Sequence, residues 1–391
     1  MTSVESLTQR FANRFHQQPR IYRAPGRVNL IGEHTDYNEG FVMPAAIGFY
    51  CWVAIAPRTD RKIVVESEQF DTSAKLDLDS ATGQVKPSRS WSDYPIGVAL
   101  QLRDAGLALR GANLLFRGDV PMGAGLSSSA AIEVATALAL VDLCGQAVDR
   151  TELARLCQKA ENQFVGTQSG IMDQFISLHG QRDHALLLDC RSLQFDLLPI
   201  PESVRLVICD TGVKHEHASG EYNRRRAECE AAVRAFSRVL PDVRALRDID
   251  EEQLQQHRAL LSDVTYKRAL HVVTENARTL ESADALRNGS VERFGKLMAE
   301  SHRSLRDFYE VSCHELDVMV ELANQQPGLY GARMTGGGFG GSTINLVEAI
   351  HAETFAKSIA AAYERETKIG QQVHICMPAD GAARVEPSEL Q

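Results

Sequence analysis

Apolar positions along the chain alternate between two periods, and the changes of period mark out elements. Residues 1–18 space their apolar side chains as an amphipathic helix does. Apolar runs over 20–31 and 41–56 read as strands, the second punctuated by Pro44 and Pro57. Residues 62–79 pattern as a charged hairpin, 93–108 as a helix and 114–116 as a short strand. A glycine-rich turn then leads into a long alanine-rich helix ending near Leu143. A helix over 151–165 follows, then a loop and the apolar stretch 172–178.

Strand-like segments at 185–189 and 193–198 run up to Ile200-Pro201, and a boundary is expected within Leu186–Pro201. A strand over 204–210 starts the second half, and helical spacing dominates from 221 to 325. A glycine-rich loop, a strand over 342–347, a helix over 352–368 and a strand over 372–376 close the chain. Strands and helices mix without a regular βαβ rhythm, which predicts two α+β domains, residues 1–195 and 196–391. The length of 391 residues allows two or three domains at roughly 150 residues each.

Composition narrows the class. Hydrophobic residues make up 44% and charged residues 24%, the balance of an ordered globular chain. The longest nearly apolar run, 45–56, is too short to span a bilayer. The N-terminus lacks the basic start and apolar stretch of a secretory signal. The eight cysteines are scattered and form no CxxC pair, so they are expected to be reduced thiols of a cytoplasmic protein. A formal net charge of -9 counts against nucleic acid as a partner. It also means that any phosphate ligand must be held by local devices: backbone N–H groups, a helix N-terminus, a metal ion or a placed basic side chain.

Three segments carry such devices. Gly26-Arg-Val-Asn-Leu-Ile-Gly-Glu-His-Thr-Asp-Tyr37 runs from an apolar strand bearing Arg27 and Asn29 into a loop bearing Glu33, His34 and Asp36. Concentrated carboxylates and donors suit a sugar, whose hydroxyls both donate and accept; the alternative is a surface turn with a capping Asp. Pro121-Met-Gly-Ala-Gly-Leu-Ser-Ser-Ser-Ala-Ala-Ile-Glu133 places two glycines and three serines at the start of the alanine-rich helix. Free N–H groups and the helix field there form a phosphate cradle, and serine hydroxyls can add a magnesium ligand. It is not a Walker A loop, and the alternative is a well-capped helix. In Met334-Thr-Gly-Gly-Gly-Phe-Gly-Gly-Ser-Thr343, three glycines match GxGxxG. A strand pattern follows where a dinucleotide fold needs a helix, so that reading is rejected. The remaining readings are tight strand packing or a wall against phosphates.

A carboxylate pair belongs with them. Glu161 lies in a helix, and Asp173 follows twelve residues later among Ile171, Met172 and Phe175. A carboxylate in apolar surroundings needs a partner, although a structural helix cap fits the spacing equally. Arg224-Arg-Arg226 reads as a solvated helix face, His215 and His217 as a weak H-x-H metal pattern, and Phe49 and Trp52 as core.

Taken together, the three motifs resemble the galactokinases of the GHMP small-molecule kinase family, in the right order over nearly the whole chain. The resemblance implies a two-domain α+β fold, an N-terminal domain like ribosomal protein S5 domain 2 and a ferredoxin-like C-terminal domain, with the site in the cleft. It implies ATP-dependent phosphorylation of D-galactose at the C1 hydroxyl, the first committed step of galactose catabolism, with ATP and Mg2+ and no obligate protein partner. Asp173 matches the catalytic base and Arg27 the arginine beside it. Glu33, His34, Thr35, Asp36, Gly170 and Tyr222 match the galactose-binding positions. Gly123, Ala124, Gly125, Leu126, Ser127, Ser128 and Ser129 match the ATP phosphate loop, and Ser129 and Glu161 the magnesium ligands. Ser67, Trp91 and Tyr94 fall where the family builds its adenine pocket. Ser342 departs from the cysteine that often follows the last glycines. A kinase for N-acetylgalactosamine or another sugar, and a galactose sensor acting through a partner, are the alternatives. Such sensors lack residues of the serine loop, which is intact here.

Overall fold

The computed structural model describes residues 3–70, 72–81, 83–214 and 218–386. His215 and His217 lie outside the described residues. Helix α1 (Ser3–Phe15) opens the chain, followed by strands β1 (Arg20–Asn29), β2 (Phe41–Val42), β3 (Pro44–Pro57), β4 (Lys62–Ser67) and β5 (Ala74–Asp77). Next come α2 (Asp93–Asp104), β6 (Ala112–Gly118), α3 (Ser128–Leu143), α4 (Arg150–Ala160), α5 (Met172–His179), β7 (His184–Asp189) and β8 (Phe195–Pro199). The second half contains β9 (Val204–Lys214), α6 (Ala218–Phe236), α7 (Glu251–Gln256), α8 (Asp263–Arg287), α9 (Val291–Ser304) and α10 (His314–Ala323). It ends with β10 (Leu329–Thr335), β11 (Gly340–Glu348), α11 (Ala352–Thr367), β12 (Val373–Cys376) and β13 (Ala383–Val385).

Among the described residues the strands form three sheets. The largest runs β13-β1-β3-β6-β4-β5, a second runs β10-β11-β9-β12, and a third runs β2-β7-β8. The β4–β6 pair is parallel and the other pairs are antiparallel. The period of two along β3 explains how the first sheet is covered. Cys51, Val53 and Ile55 join the main core with α3 and α5, whereas Trp52, Ala54 and Ala56 meet Val4, Leu7 and Phe11 of α1 on the other face. Helix α3 is apolar nearly all round and is buried along most of its length, as such a helix must be.

Two strands escape the sequence pattern. β10 precedes the glycine segment, so that segment is a hairpin turn between β10 and β11. Its alternation is broken by Arg333, which is fully buried and donates to Asn29 O at 3.0 Å. β13 has three residues, too few to show a period, and pairs with β1 through Ile21↔Val385 and its neighbours. The end of the chain thus returns to the N-terminal sheet. A division at 195/196 cuts through β8 and leaves β13 on the far side of it. The main core is also continuous across that point, joining Val28 and Leu140 to Leu206, Phe294 and Leu346.

Candidate active site

The site begins at a flaw in β1. Pairing between β1 and β3 shifts register between Pro25 and Arg27, and a bulge of this kind re-aims the side chain beyond it. Arg27 N–H leaves the ladder to donate to Leu126 O at 3.0 Å. The guanidinium meets Asp173, at the start of α5, through two 2.7 Å bonds, Nε to Oδ1 and Nη2 to Oδ2. Its remaining nitrogen, Nη1, donates to Gly125 O at 2.7 Å. One arginine therefore joins the serine loop to the acidic residue.

Ser127 precedes α3 with φ 59 and does not cap the helix with its side chain. Its hydroxyl donates instead to Asp173 Oδ2. The first N–H groups of α3 lack helical partners by geometry and face outward with the positive end of the helix field. A cavity of about 370 Å³ opens there. Gly123, Gly125, Leu126 and Ser127 to Ser129 form one wall, and Gly337 to Gly341 of the hairpin form the other. The two glycine loops nearly touch: a Cβ on Gly336, whose φ is +85°, would lie 3.0 Å from Gly125 O. Ser342 Oγ donates to Ala124 O at 2.7 Å, so the serine at the position noted for cysteine ties the loops together. Ala124 itself is buried and does not line the cavity.

A second cavity, of about 170 Å³, adjoins the first and shares Arg27, Glu161, Thr167, Tyr222 and Gly337 with it. Glu33, His34, Asp36, Gly170 and Asp173 line it. Glu33, His34 and Asp173 are held by non-local contacts, whereas Asp36 Oδ1 accepts from the adjacent Tyr37 N–H. Glu33 Oε1 accepts from Gly336 N–H at 2.7 Å and lies 3.6 Å from Arg333 Nη2; burial pushes its pKa up, against the pull of Arg333 and Arg27. His34 Nε2 is 3.2 Å from Gly337 O and Nδ1 is 2.8 Å from the Tyr37 hydroxyl. A carbonyl only accepts, so Nε2 carries the proton and Nδ1 accepts from Tyr37. Both ring nitrogens are thus committed to the protein. Burial lowers the His34 pKa to about 3, with His271 adding to the effect, so the ring stays neutral.

Burial raises the Asp36 pKa to about 7, with the nearby Asp173 charge adding to it. Thr35 sits beneath the loop. Its hydroxyl reaches Gly32 O at 2.8 Å and Phe41 O at 2.6 Å, and it is absent from the cavity lining. Of the sequence candidates for sugar contact, Thr35 is the one whose polar atom is turned inward to shape the loop. Tyr222 closes the cavity over His34 and Tyr37, with ring centroids 5.4 Å away in both cases. The arginines after Tyr222 do not form one solvated face. Arg225 is buried and donates to Tyr309 O and Glu310 O, both at 2.8 Å.

A third cavity, of about 150 Å³, brings together Ser67, Trp91 and Tyr94, and meets the serine loop at Ser128 and Ser129. Phe70, Phe116 and Met122 line it as well. Phe70 stacks on Trp91 with centroids 5.8 Å apart, and Met122 is 64% exposed. Sequence reasoning missed these three. An apolar residue, Met122, set between a strand pattern and the glycines was the one signal the sequence offered.

Ser129 and Glu161 line the first cavity. Glu161 opens a π-helical turn at the end of α4, an irregularity frequent at functional sites. Its Oε2 accepts from Ser169 Oγ at 2.6 Å and Gln174 Nε2 at 2.9 Å, and burial raises its pKa. Gln174 Nε2 also reaches Glu133 Oε2 at 2.9 Å.

Comparison with known proteins accounts for this arrangement. Residues 9–57 match the galactokinase galactose-binding signature, 93–181 the GHMP kinases N terminal domain and 282–365 the GHMP kinases C terminal domain. A galactokinase of Roseiflexus sp. is 47% identical over 98% of both chains, and one of Chloroflexus aggregans is 48% identical over 100% of both. The crystal structure of Lactococcus lactis galactokinase complexed with galactose is 36% identical, covers 98% of this chain and 100% of its own, and superposes with a TM-score of 0.94. A mevalonate kinase structure, 19% identical with a TM-score of 0.63 over 92% of this chain and 99% of its own, shares the fold. With relatives this similar along its full length, the chain belongs to the galactokinase family of the GHMP kinases.

Proposed function

We propose that the chain transfers the terminal phosphoryl group of ATP to the C1 hydroxyl of D-galactose, giving ADP and galactose 1-phosphate. The observation that carries this reading is the position of the Arg27–Asp173 pair. Arg27 lines both the larger and the smaller cavity, and Asp173 lines the smaller. Galactose in the smaller cavity and the ATP phosphates in the larger one would meet at this pair, with the adenine among Trp91, Tyr94, Phe70 and Met122.

Phosphoryl transfer has a loose transition state, so positioning and charge stabilisation outweigh early proton removal. Asp173 already accepts from Arg27 Nε, Arg27 Nη2 and Ser127 Oγ. A carboxylate has about four lone-pair sites, which leaves one, on Oδ1, to orient the C1 hydroxyl and receive its proton. Arg27 lends positive charge to the moving phosphoryl group, and the N-terminus of α3 lends its backbone N–H groups. Asp36, Glu33 and Tyr222 face the remaining sugar hydroxyls. His34 acts as a neutral wall that clasps the glycine hairpin.

The residues we assign to Mg2+ are Ser129 and Glu161. A buried carboxylate with a raised pKa favours a compensating cation. Two protein oxygens suffice because magnesium is usually held by one or two side chains together with substrate phosphates. The bound ion would neutralise charge on the phosphates. A cytoplasmic setting belongs to the same proposal. The eight cysteines are free thiols, and among the described residues no helix is long and apolar enough to cross a membrane.

The test is ADP release from Mg-ATP with galactose, glucose, galactosamine, N-acetylgalactosamine, talose and mevalonate. Turnover of galactose far above glucose is expected, because a site bonding the axial hydroxyl leaves groups unpaired when that hydroxyl is equatorial. Comparable turnover of glucose would refute the specificity. Galactose binding without turnover would refute the kinase assignment.

A further inference from the structure

The loop that carries Glu33, His34 and Asp36 is fastened at both ends to α8. Glu275 Oε1 accepts from Gly32 N–H at 3.0 Å. His271 Nε2 lies 3.1 Å from Glu33 O, and Asn276 Oδ1 accepts from Phe41 N–H at 3.0 Å. His271 and Glu275 stand four residues apart, so they share one face of the helix. Both are fully buried, and neither lines the smaller cavity. The approach is close: a Cβ on Gly32, whose φ is +92°, would lie 3.0 Å from Thr279 Oγ1.

The pair is itself fixed from behind by α9. Ser304 Oγ is 2.9 Å from His271 Nδ1. A carbonyl only accepts, so Nε2 carries the proton toward Glu33 and Nδ1 accepts from Ser304. Burial lowers the His271 pKa to about 4, which keeps the ring neutral. Glu275 accepts from Ser301 Oγ at 2.5 Å on Oε1 and from Arg278 Nε at 2.8 Å on Oε2. Burial opposes its charge, but Arg278, His271 and Arg333 outweigh that and hold the pKa down at about 2. One donor and one acceptor, each locked in place, thus meet the main chain on either side of Gly32-Glu33.

We propose that His271 and Glu275 are positioning residues for the sugar: they hold the Gly32-Glu33 backbone so that the Glu33 and His34 side chains face the smaller cavity, without touching its occupant. The inference rests on the reading of that cavity as the galactose site. A buried carbonyl deprived of its donor carries the cost of an unmade hydrogen bond, and the loop shifts to find another partner. A shift of about 1 Å is enough to misplace groups that must meet a substrate.

The experiment compares His271→Phe, His271→Gln and Ser304→Ala with the wild type, by calorimetric titration with galactose and by steady-state kinetics with each substrate varied. Phe keeps a ring beside Tyr309, whose centroid is 4.5 Å away, and removes the donor. Gln keeps a donor near the place of Nε2. His271→Phe is expected to raise the Kd and KM for galactose roughly tenfold or more, with the KM for ATP within about twofold of wild type. His271→Gln is expected to recover most of that loss. Ser304→Ala leaves the ring in place but releases its Nδ1. It is expected to weaken galactose binding about threefold, and it decides the question if His271→Phe does not fold. Unchanged galactose affinity in the folded variant, equal losses for galactose and ATP, or a His271→Gln variant no better than His271→Phe overturns the inference. A wild type that binds galactose without releasing ADP refutes the kinase reading alone, since the calorimetric comparison still stands. A wild type that binds no galactose overturns both.

Discussion

Asp36 and Gly170 fill one another's space: a Cβ on Gly170 would lie 1.9 Å from Asp36 Oδ2. The absence of a side chain at 170 is thus what allows the carboxylate to face the smaller cavity. Gly170→Ala is expected to push Asp36 aside and raise the KM for galactose by roughly 10- to 100-fold, with the KM for ATP nearly unchanged. Steady-state kinetics with each substrate varied would check this. An unchanged galactose KM would separate Asp36 from sugar recognition.

Asp173→Asn keeps the shape of the side chain and removes its charge. Galactose binding is expected to survive while kcat falls by roughly 10³ or more, the loss typical of a catalytic group. Titration calorimetry with galactose, alongside turnover, separates the two effects. A variant with near-normal kcat would remove Asp173 from its assigned role.

Asp36 also imposes a pH-dependent cost. Its folded pKa of about 7 lies above the ordinary 3.8, so the folded state binds the proton more tightly than the unfolded state. The stabilising effect is complete below about pH 4 and is lost as pH rises towards 7. The loss amounts to up to ~4 kcal/mol when ionisation is complete. Asp36→Asn is therefore expected to be more stable relative to wild type at pH 8 than at pH 5, while binding galactose poorly. Thermal denaturation of both proteins without ligand at the two pH values is the measurement. An equal difference in Tm at both pH values would contradict the buried, late-ionising carboxyl.

Glu161→Gln retains a hydrogen-bonding side chain next to Ser169 and Gln174 but loses the charge offered to a cation. The free Mg2+ needed for half-maximal rate is expected to rise by roughly 10-fold or more, the scale seen when a metal ligand or its support is lost. Direct Mn2+ binding in the presence of ADP, followed by its paramagnetic signal, gives a readout that does not depend on turnover. Unaltered metal affinity would move the assignment away from Glu161.

Several of these relationships were only half legible in the sequence. Arg27 and Asp36 could be singled out by their motif and Tyr222 only through the family resemblance, while the spacing of Asp173 fitted a helix cap as well as a catalytic group. The paired bonds from Arg27, 146 residues away, show the carboxylate engaged with a distant partner. His34 stood out equally in its loop, yet the fold commits both its nitrogens to Tyr37 and Gly337. Thr35 looked like its neighbours and turned inward. Phe70 and Met122 carry no motif.

The sequence by itself determined where most helices and strands form, that a serine-rich helix start follows two glycines, and which family pattern the chain follows. Those properties are local: burial repeats with the period of the element, and a helix start offers N–H groups wherever it occurs. The tertiary structure alone decided that β13 completes the N-terminal sheet and that Gly336 N–H meets Glu33 across 303 residues. Those features depend on chain closure over long separations. Their favourable contacts exist only after the core has assembled, so no short window of residues records them.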